Sequence, residues 1–342
     1  MPGYNFCVSV TIIYRVLKKV FFILFSVITI GKAFAQSTSG ITGKPDTSYT
    51  TYSAYFNTKK DFPGIKIVNE FHFASVKEKK DIVYCAIGNR TLKLDVFYPR
   101  KKNKNPAIII LHGGGWRTGN RTQHYPLAQK LASLGYTCFT PEYRLSTEAL
   151  YPAAVYDIKA SIRWVHENAK QYNIDTSKIT VLGFSAGGEL AAFMGATNTI
   201  KKFEGNNNCL PDASSLVHAV IDIDGILAFI HPESGEGDDS KRISAATNWF
   251  GYSKTENQAL WQDASSLTHV GKQAPPILFI NSGVDRMHAG RTDYIKKLNE
   301  YNIYSEVKTF EGAPHSFCLF EPWFQPTVKY IDDFLKNRFA KK

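Results

Sequence analysis

The chain has 342 residues and a formal net charge of +11. That length allows one large domain or two small ones. Nothing in it resembles a nucleic-acid-binding module, and no C-x-x-C or clustered ligand spacing points to a metal site. Residues 1–35 contain no acidic residue. Arg15, Lys18 and Lys19 precede an apolar run of 11 residues, Val20 to Ile30, and Ala33-Phe34-Ala35 gives an A-x-A cleavage site. This reads as a secretory signal peptide cleaved after Ala35, which places the mature protein outside the cytoplasm, secreted or periplasmic. The run is short of the roughly 20 residues a spanning helix needs, so stable membrane insertion after cleavage is not expected. Without this segment the chain keeps 37 Lys and Arg against 30 Asp and Glu, or +7. Such a surface can attract anionic polymers, although ordinary solubility charge accounts for it equally well.

Residues 36–65 are expected to form an N-terminal arm or linker. Up to about Lys60 they are rich in Ser, Thr, Tyr and Gly and lack periodicity. Residues 66–342 are expected to form one catalytic domain. Predicted strands run Ile67–Val76, Ile82–Ile87, Leu92–Tyr98, Ala107–Leu111, Cys138–Tyr143, Ile179–Leu182, Ala219–Ile223, Ile277–Asn281 and Tyr304–Phe310. Several are continuous apolar runs, as expected of parallel strands covered on both faces. Predicted helices Tyr125–Leu134, Ala153–Tyr172, Asp293–Tyr301 and Pro326–Phe339 alternate with them. The alternation predicts an α/β class, a doubly wound, mostly parallel sheet with right-handed crossovers. The pattern breaks between Gly225 and Pro275, too long for a simple loop, and predicts a small cap insertion. Its Trp249, Phe250 and Trp261 could line a pocket or stack on sugar rings; alternatively they pack the cap onto the core. Cys85 and Cys138 lie in apolar strand patterns and read as inert core thiols. Cys209 lies in a polar stretch and Cys318 follows a motif histidine; the pairing of any disulfide is not readable from sequence.

Two motifs stand at strand ends. Ile179-Thr180-Val181-Leu182 runs into Gly183-Phe184-Ser185-Ala186-Gly187, followed by the helix-like Glu189–Met194. This is the strand–turn–helix setting of a nucleophile elbow, in which a tight turn lifts a serine hydroxyl toward a base. Upstream, Ala107–Leu111 runs into His112-Gly113-Gly114-Gly115-Trp116, a loop whose glycine amides can bind an oxyanion. A lone G-x-S-x-G is weak; the two together, in order and each after a strand, are specific.

A serine nucleophile needs a base, and the base an acid. The chain order Ser, Asp, His selects Asp285, after strand Ile277–Asn281, as orienting acid, and His315, after strand Tyr304–Phe310, as general base. Both sit at C-terminal strand ends, where open α/β sheets place their sites. Asp222 and Asp224 close an earlier strand and are read as buttresses of the elbow or cap. His288 is read as a substrate or solvent contact and His112 as a loop organiser. The expected oxyanion donors are the amides of Gly114, Gly115 and Ala186. Trp116, His288 and Trp323 are candidate substrate contacts. This chemistry requires no cofactor and no metal.

Carried by His112–Trp116, Pro141-Glu142-Tyr143-Arg144-Leu145, Tyr151-Pro152-Ala153-Ala154, Gly183–Gly188, Asp285 and His315, the chain resembles the α/β-hydrolase superfamily in its H-G-G-G-W esterase branch. The likeness covers nearly all of Leu92 to Lys336. It is similar to secreted carbohydrate esterases, including acetyl xylan, feruloyl and pectin esterases. Phe184 departs from the hormone-sensitive-lipase group, which usually has Asp there, and moves the likeness toward the polysaccharide-esterase group. What the resemblance implies is a secreted serine esterase that removes acetyl or methyl groups from a plant-type polysaccharide such as pectin. A lipase-like or general short-chain carboxylesterase is the alternative, and an inactive hydrolase-fold binding module a remote one. A polysaccharide or small ester is the expected partner, and nucleic acid is not.

Overall fold

A computed structural model describes residues 35–205 and 209–340. The expected signal segment lies outside the described residues up to position 34. The chain opens with α1 (Thr51–Thr58), then β1 (Lys66–Ile67), β2 (Val76–Ile87), β3 (Arg90–Pro99) and β4 (Asn105–Leu111). Next come α2 (Tyr125–Ser133), β5 (Thr137–Pro141), α3 (Ala153–Glu167), α4 (Ala169–Tyr172), β6 (Ile174–Phe184) and α5 (Ala186–Ala196). Then follow β7 (Ala219–Ile223), α6 (Ala245–Phe250), α7 (Gln258–Asp263), α8 (Ser266–His269) and β8 (Ile277–Asn281). The chain closes with α9 (Arg291–Glu300), β9 (Ser305–Thr309), β10 (Phe320–Glu321) and α10 (Phe324–Phe339).

Eight strands form one sheet in the order β2-β3-β5-β4-β6-β7-β8-β9. The pairs β2–β3 and β3–β5 are antiparallel and the rest are parallel. The expected doubly wound α/β sheet is therefore present. The period of two along each strand divides its apolar residues between two cores. In β4, Ala107, Ile109 and Leu111 face one core with α3 and α5. Ile108 and Ile110 face the other, with α2 and α10. The same alternation holds in β8, with Ile277 and Phe279 on the first face and Leu278 and Ile280 on the second. Fully burying one such side chain contributes roughly 1.5–3 kcal/mol, so the central strands anchor the fold.

Four predicted elements differ. Instead of a strand over Ile67–Val76, only Lys66–Ile67 pairs, antiparallel to β10. The next residues leave the sheet because Phe71 is drawn aside: its amide donates to Gln129 Oε1 at 2.7 Å and its ring stacks on Phe324. The predicted strand Ile82–Ile87 begins earlier, at Val76. Its polar first half, Lys77–Asp81, is exposed on the sheet edge, where charge discourages pairing with other chains. The helix predicted over Ala153–Tyr172 breaks at Asn168, whose side-chain amide donates to Trp164 O at 2.8 Å. The arm is not a bare linker. It carries α1, capped by Thr50 and Ser53, and from Ser37 onward the described residues belong to one unit.

Cys85 and Cys209 form a disulfide, while Cys138 and Cys318 are free and buried. This corrects the reading of Cys85 as an inert thiol: its strand is an edge strand, open to the loop that carries Cys209. The bond joins residues 124 apart in sequence. Closing so long a loop restricts the unfolded chain, and typical disulfides contribute about 2–4 kcal/mol. Cys209→Ser is expected to lose about that much stability in denaturant unfolding without reductant. An unchanged midpoint would show that the bond contributes nothing.

Candidate active site

Strand β6 lies between β4 and β7, and its last residues pair Gly183 with Asp222 and Phe184 with Ile223. The chain then turns at Ser185, with φ 57° and ψ −121°, before α5 starts at Ala186. A left-handed φ in a non-glycine residue costs on the order of 1–3 kcal/mol and persists only where neighbours hold it. Here the Ser185 amide donates to Ile223 O at 2.8 Å, and Ser185 O accepts from the Glu189 amide at 3.0 Å. A Cβ at Gly187 would overlap the carbonyl oxygens of Leu111 and His112, so only glycine lets α5 meet the end of β4.

His315 joins this turn from the loop after β9. Its Nε2 lies 2.9 Å from Ser185 Oγ, and its Nδ1 lies 2.9 Å from Asp224 Oδ2. With Nδ1–H donating to the carboxylate, Nε2 is free to accept the serine proton. The carboxylate that meets His315 is that of Asp224, and not that of Asp285 as expected. Asp285 starts a short 3-10 turn after β8 and is exposed. Asp224 directly follows β7, the strand next to the elbow strand; β8 is one strand further away. Chain order admits both aspartates, and strand adjacency selects the nearer one.

Asp224 is fully buried. Its Oδ1 accepts from the Ser282 amide at 2.7 Å and lies 3.2 Å from His288 Nε2. Burial works to raise its pKa, but the hydrogen bonds from His288 and His315, the charge of His315 and the Ser282 bond outweigh burial and hold it below the usual carboxylate value. It therefore remains an anion facing His315. His288 is buried against this carboxylate, so its expected role as a substrate contact gives way to a place behind the acid. Asp222 does buttress the elbow region, since its Oδ1 accepts from the Gly225 amide at 2.7 Å.

The glycine loop is shaped for anion binding. Gly114 and Gly115 have φ of 130° and 59°. Gly114 O accepts from Arg117 N at 3.2 Å and Thr118 N at 2.9 Å, closing a tight turn. A Cβ at Gly114 would overlap Thr118 O. The Gly113 amide is taken by Gln123 Oε1 at 2.7 Å, whereas those of Gly114 and Gly115 have no acceptor among the described residues. The Ala186 amide opens α5, where helices leave N–H groups unpaired. These three amides stand on the two loops flanking Ser185. His112 organises the loop as expected. Its ring stacks on Tyr143 with centroids 4.4 Å apart, and its Nδ1 lies 3.0 Å from Gly113 O. Burial lowers its pKa to about 4, and burial with the nearby His112 lowers that of His124 to about 3.

The aromatic candidates divide. Trp116 is buried, and its indole N–H donates to Glu189 Oε2 at 3.0 Å. Trp116 stacks on Trp249, and Phe250 packs on Trp261, so these rings join the insertion to the core. Trp323 is half-buried against Phe62. The arm reaches both active-site loops. Arg117 pairs with Asp46 at 2.8 Å, and the hydroxyls of Thr58 and Ser316 lie 3.1 Å apart. Sequence reasoning missed Asp224 as the acid, although an aspartate closing a strand and followed by Gly225 was a usable signal.

Residues 94–289 match the family model described as BD-FAE. The carboxylic ester hydrolase LipM of Mycobacterium tuberculosis, named there as probable, is 28% identical over 61% of this chain and 49% of its own. The esterase LipC of the same organism is 29% identical over 63% of this chain and 54% of its own. This chain therefore spans about half the length of those curated relatives. A truncated carbohydrate esterase from gut microbiota shares the fold at a TM-score of 0.66, with 24% identity over 81% of this chain and 100% of that one. A Thermogutta terrifontis esterase solved with butyrate aligns at a TM-score of 0.61, with 25% identity over 79% of this chain and 97% of that one. No described helix is long and apolar enough to cross a membrane.

Two outcomes check this site. Asp224→Asn should lower kcat on a short ester by roughly a thousand- to ten-thousand-fold by losing the histidine tautomer, while Asp285→Asn changes it less than about three-fold. The reverse order in steady-state kinetics would restore Asp285. Separately, the Cε1–H resonances of His112 and His124 should not titrate between pH 7 and 5. Both are neutral when folded and protonate below about 6.5 when unfolded. Their stabilising contribution is therefore full above about pH 6.5 and declines toward pH 4 and 3. Titration of either resonance near pH 6.5 would show that its ring is not buried.

Proposed function

Because the chain belongs to the BD-FAE family and joins Ser185, His315 and Asp224 in one hydrogen-bonded relay, we propose that it is a serine carboxylic-ester hydrolase. That relay carries the reading. His315 Nε2 takes the Ser185 proton as Oγ attacks the ester carbonyl. The imidazolium that forms is stabilised by Asp224, which is already ionised. The carbonyl oxygen becomes an oxyanion and accepts from the amides of Ala186, Gly114 and Gly115; one such donor is typically worth about 3 kcal/mol. His315 then protonates the leaving alkoxide. Water, deprotonated by the same histidine, attacks the acyl-serine and releases the acid.

The substrate is a small ester group, acetyl or methyl, on a polysaccharide, with pectin favoured by the positive charge. Support comes from the sequence resemblance. Secretion or export to the periplasm is supported by the basic–apolar–A-x-A N-terminus and by the Cys85–Cys209 disulfide, a bond that persists outside reducing compartments.

Acetylated xylan, acetylated pectin and methylated pectin should be offered to the purified chain, with acetate and methanol measured separately. Release of acetate, methanol or both from at least one polymer, abolished in Ser185→Ala, is the expected result. Turnover of p-nitrophenyl acetate with no release from any polymer would sink the polysaccharide reading and leave a general carboxylesterase. Undiminished turnover by Ser185→Ala would sink the serine mechanism.

A further inference from the structure

Glu189 is a carboxyl group with 1% exposure one turn into α5, and nothing in the relay uses it. Its backbone amide closes the first turn of α5 on Ser185 O at 3.0 Å. Its side chain reaches across to the glycine loop, where Oε2 accepts the Trp116 indole N–H at 3.0 Å. Oε1 has no partner among the described residues. One residue therefore touches both structures that supply oxyanion donors: α5, which begins with Ala186, and the loop that carries Gly114 and Gly115.

Trp116 is well placed to transmit that contact. It directly follows Gly115 and has a left-handed φ of 56°, rare for a bulky residue. Its carbonyl accepts from Ser146 N at 2.8 Å, and its ring lies parallel to Trp249 with centroids 5.0 Å apart. These contacts hold the ring plane. Among the described residues, only the bond to Glu189 ties the ring to the elbow helix by a directed interaction.

We propose that Glu189 is a positioning residue which, through Trp116, fixes the spacing between the two halves of the oxyanion hole. The backbone contact of Gly187 with Leu111 and His112 holds the near side of the loop; the Glu189–Trp116 bond holds the far side. Burial raises the Glu189 pKa well above the carboxylate norm; the Trp116 bond opposes this and the neighbouring Asp222 adds to it. Glutamine, of the same shape, keeps an acceptor oxygen for the Trp116 N–H. Leucine removes it. In an oxyanion hole such a displacement acts on the transition state rather than on substrate binding, so kcat falls and KM does not.

This inference rests on the esterase reading, and the test separates the two. Steady-state kinetics on p-nitrophenyl acetate would compare wild type, Ser185→Ala, Glu189→Gln, Glu189→Leu, Trp116→Phe and the Glu189→Leu/Trp116→Phe double variant. Glu189→Gln is expected within about three-fold of wild type. Glu189→Leu and Trp116→Phe should each lower kcat roughly 10- to 100-fold with KM within about three-fold, and the double variant should be no worse than the weaker single. Trp116→Phe keeps an aromatic ring but removes the N–H together with the fused pyrrole ring, so it tests the bond from the other side if Glu189→Leu does not fold. The proposal is overturned if a folded Glu189→Leu or Trp116→Phe keeps wild-type kcat, if Glu189→Gln falls as far as leucine, or if the two losses multiply. Absence of turnover by wild type would instead remove the esterase reading and this inference with it.

Discussion

The contact between the start of α5 and the end of β4 constrains everything around it. There Gly187 rests against the carbonyls of Leu111 and His112 with no room for a methyl group. This approach sets the elbow beside the glycine loop before any side chain is considered. It also forces Ser185 into a left-handed φ, which the hydrogen bond from its amide to Ile223 O holds in place. The hydroxyl is lifted because the backbone has no other course between β6 and α5. Sheet order then brings β7 alongside, and with it Asp224.

The charges around this turn are handled in two ways. Asp224 is buried but surrounded by donors, and it stays ionised, as a partner for an imidazolium must. Asp222 and Glu189 are equally buried but have few donors, and burial pushes both pKa values well above the usual range. Asp222 and Asp224, two residues apart, are thus shifted in opposite directions, and the difference is the set of donors aimed at each. The arm adds restraint from outside, through Asp46 on Arg117 and Thr58 on Ser316, so the segment before the sheet supports loops at the far ends of two strands.

Much of this was legible in the sequence. Continuous apolar runs located β4, β5, β7 and β8 to within two residues, because burial on both faces leaves few alternatives. Ser185, His315 and the Gly114–Gly115 loop were legible because the chemistry fixes residue types beside strand ends. Chain order suits Asp285 as well as Asp224, and only the contact of Asp224 with His315 separates them. The strand expected over Ile67–Val76 failed for a related reason: Phe71 looks like a strand residue until Phe324, far along the chain, is known to lie under it.

The sequence by itself determined the fold class and placed Ser185, His315 and the glycine loop at strand ends, since each depends on residues a few positions apart. The tertiary structure alone decided which carboxylate orients His315, which cysteines pair, and that Glu189 meets Trp116. Each of these joins positions tens to more than a hundred residues apart. Their distances are set by strand order and helix packing, to which no local pattern is sensitive.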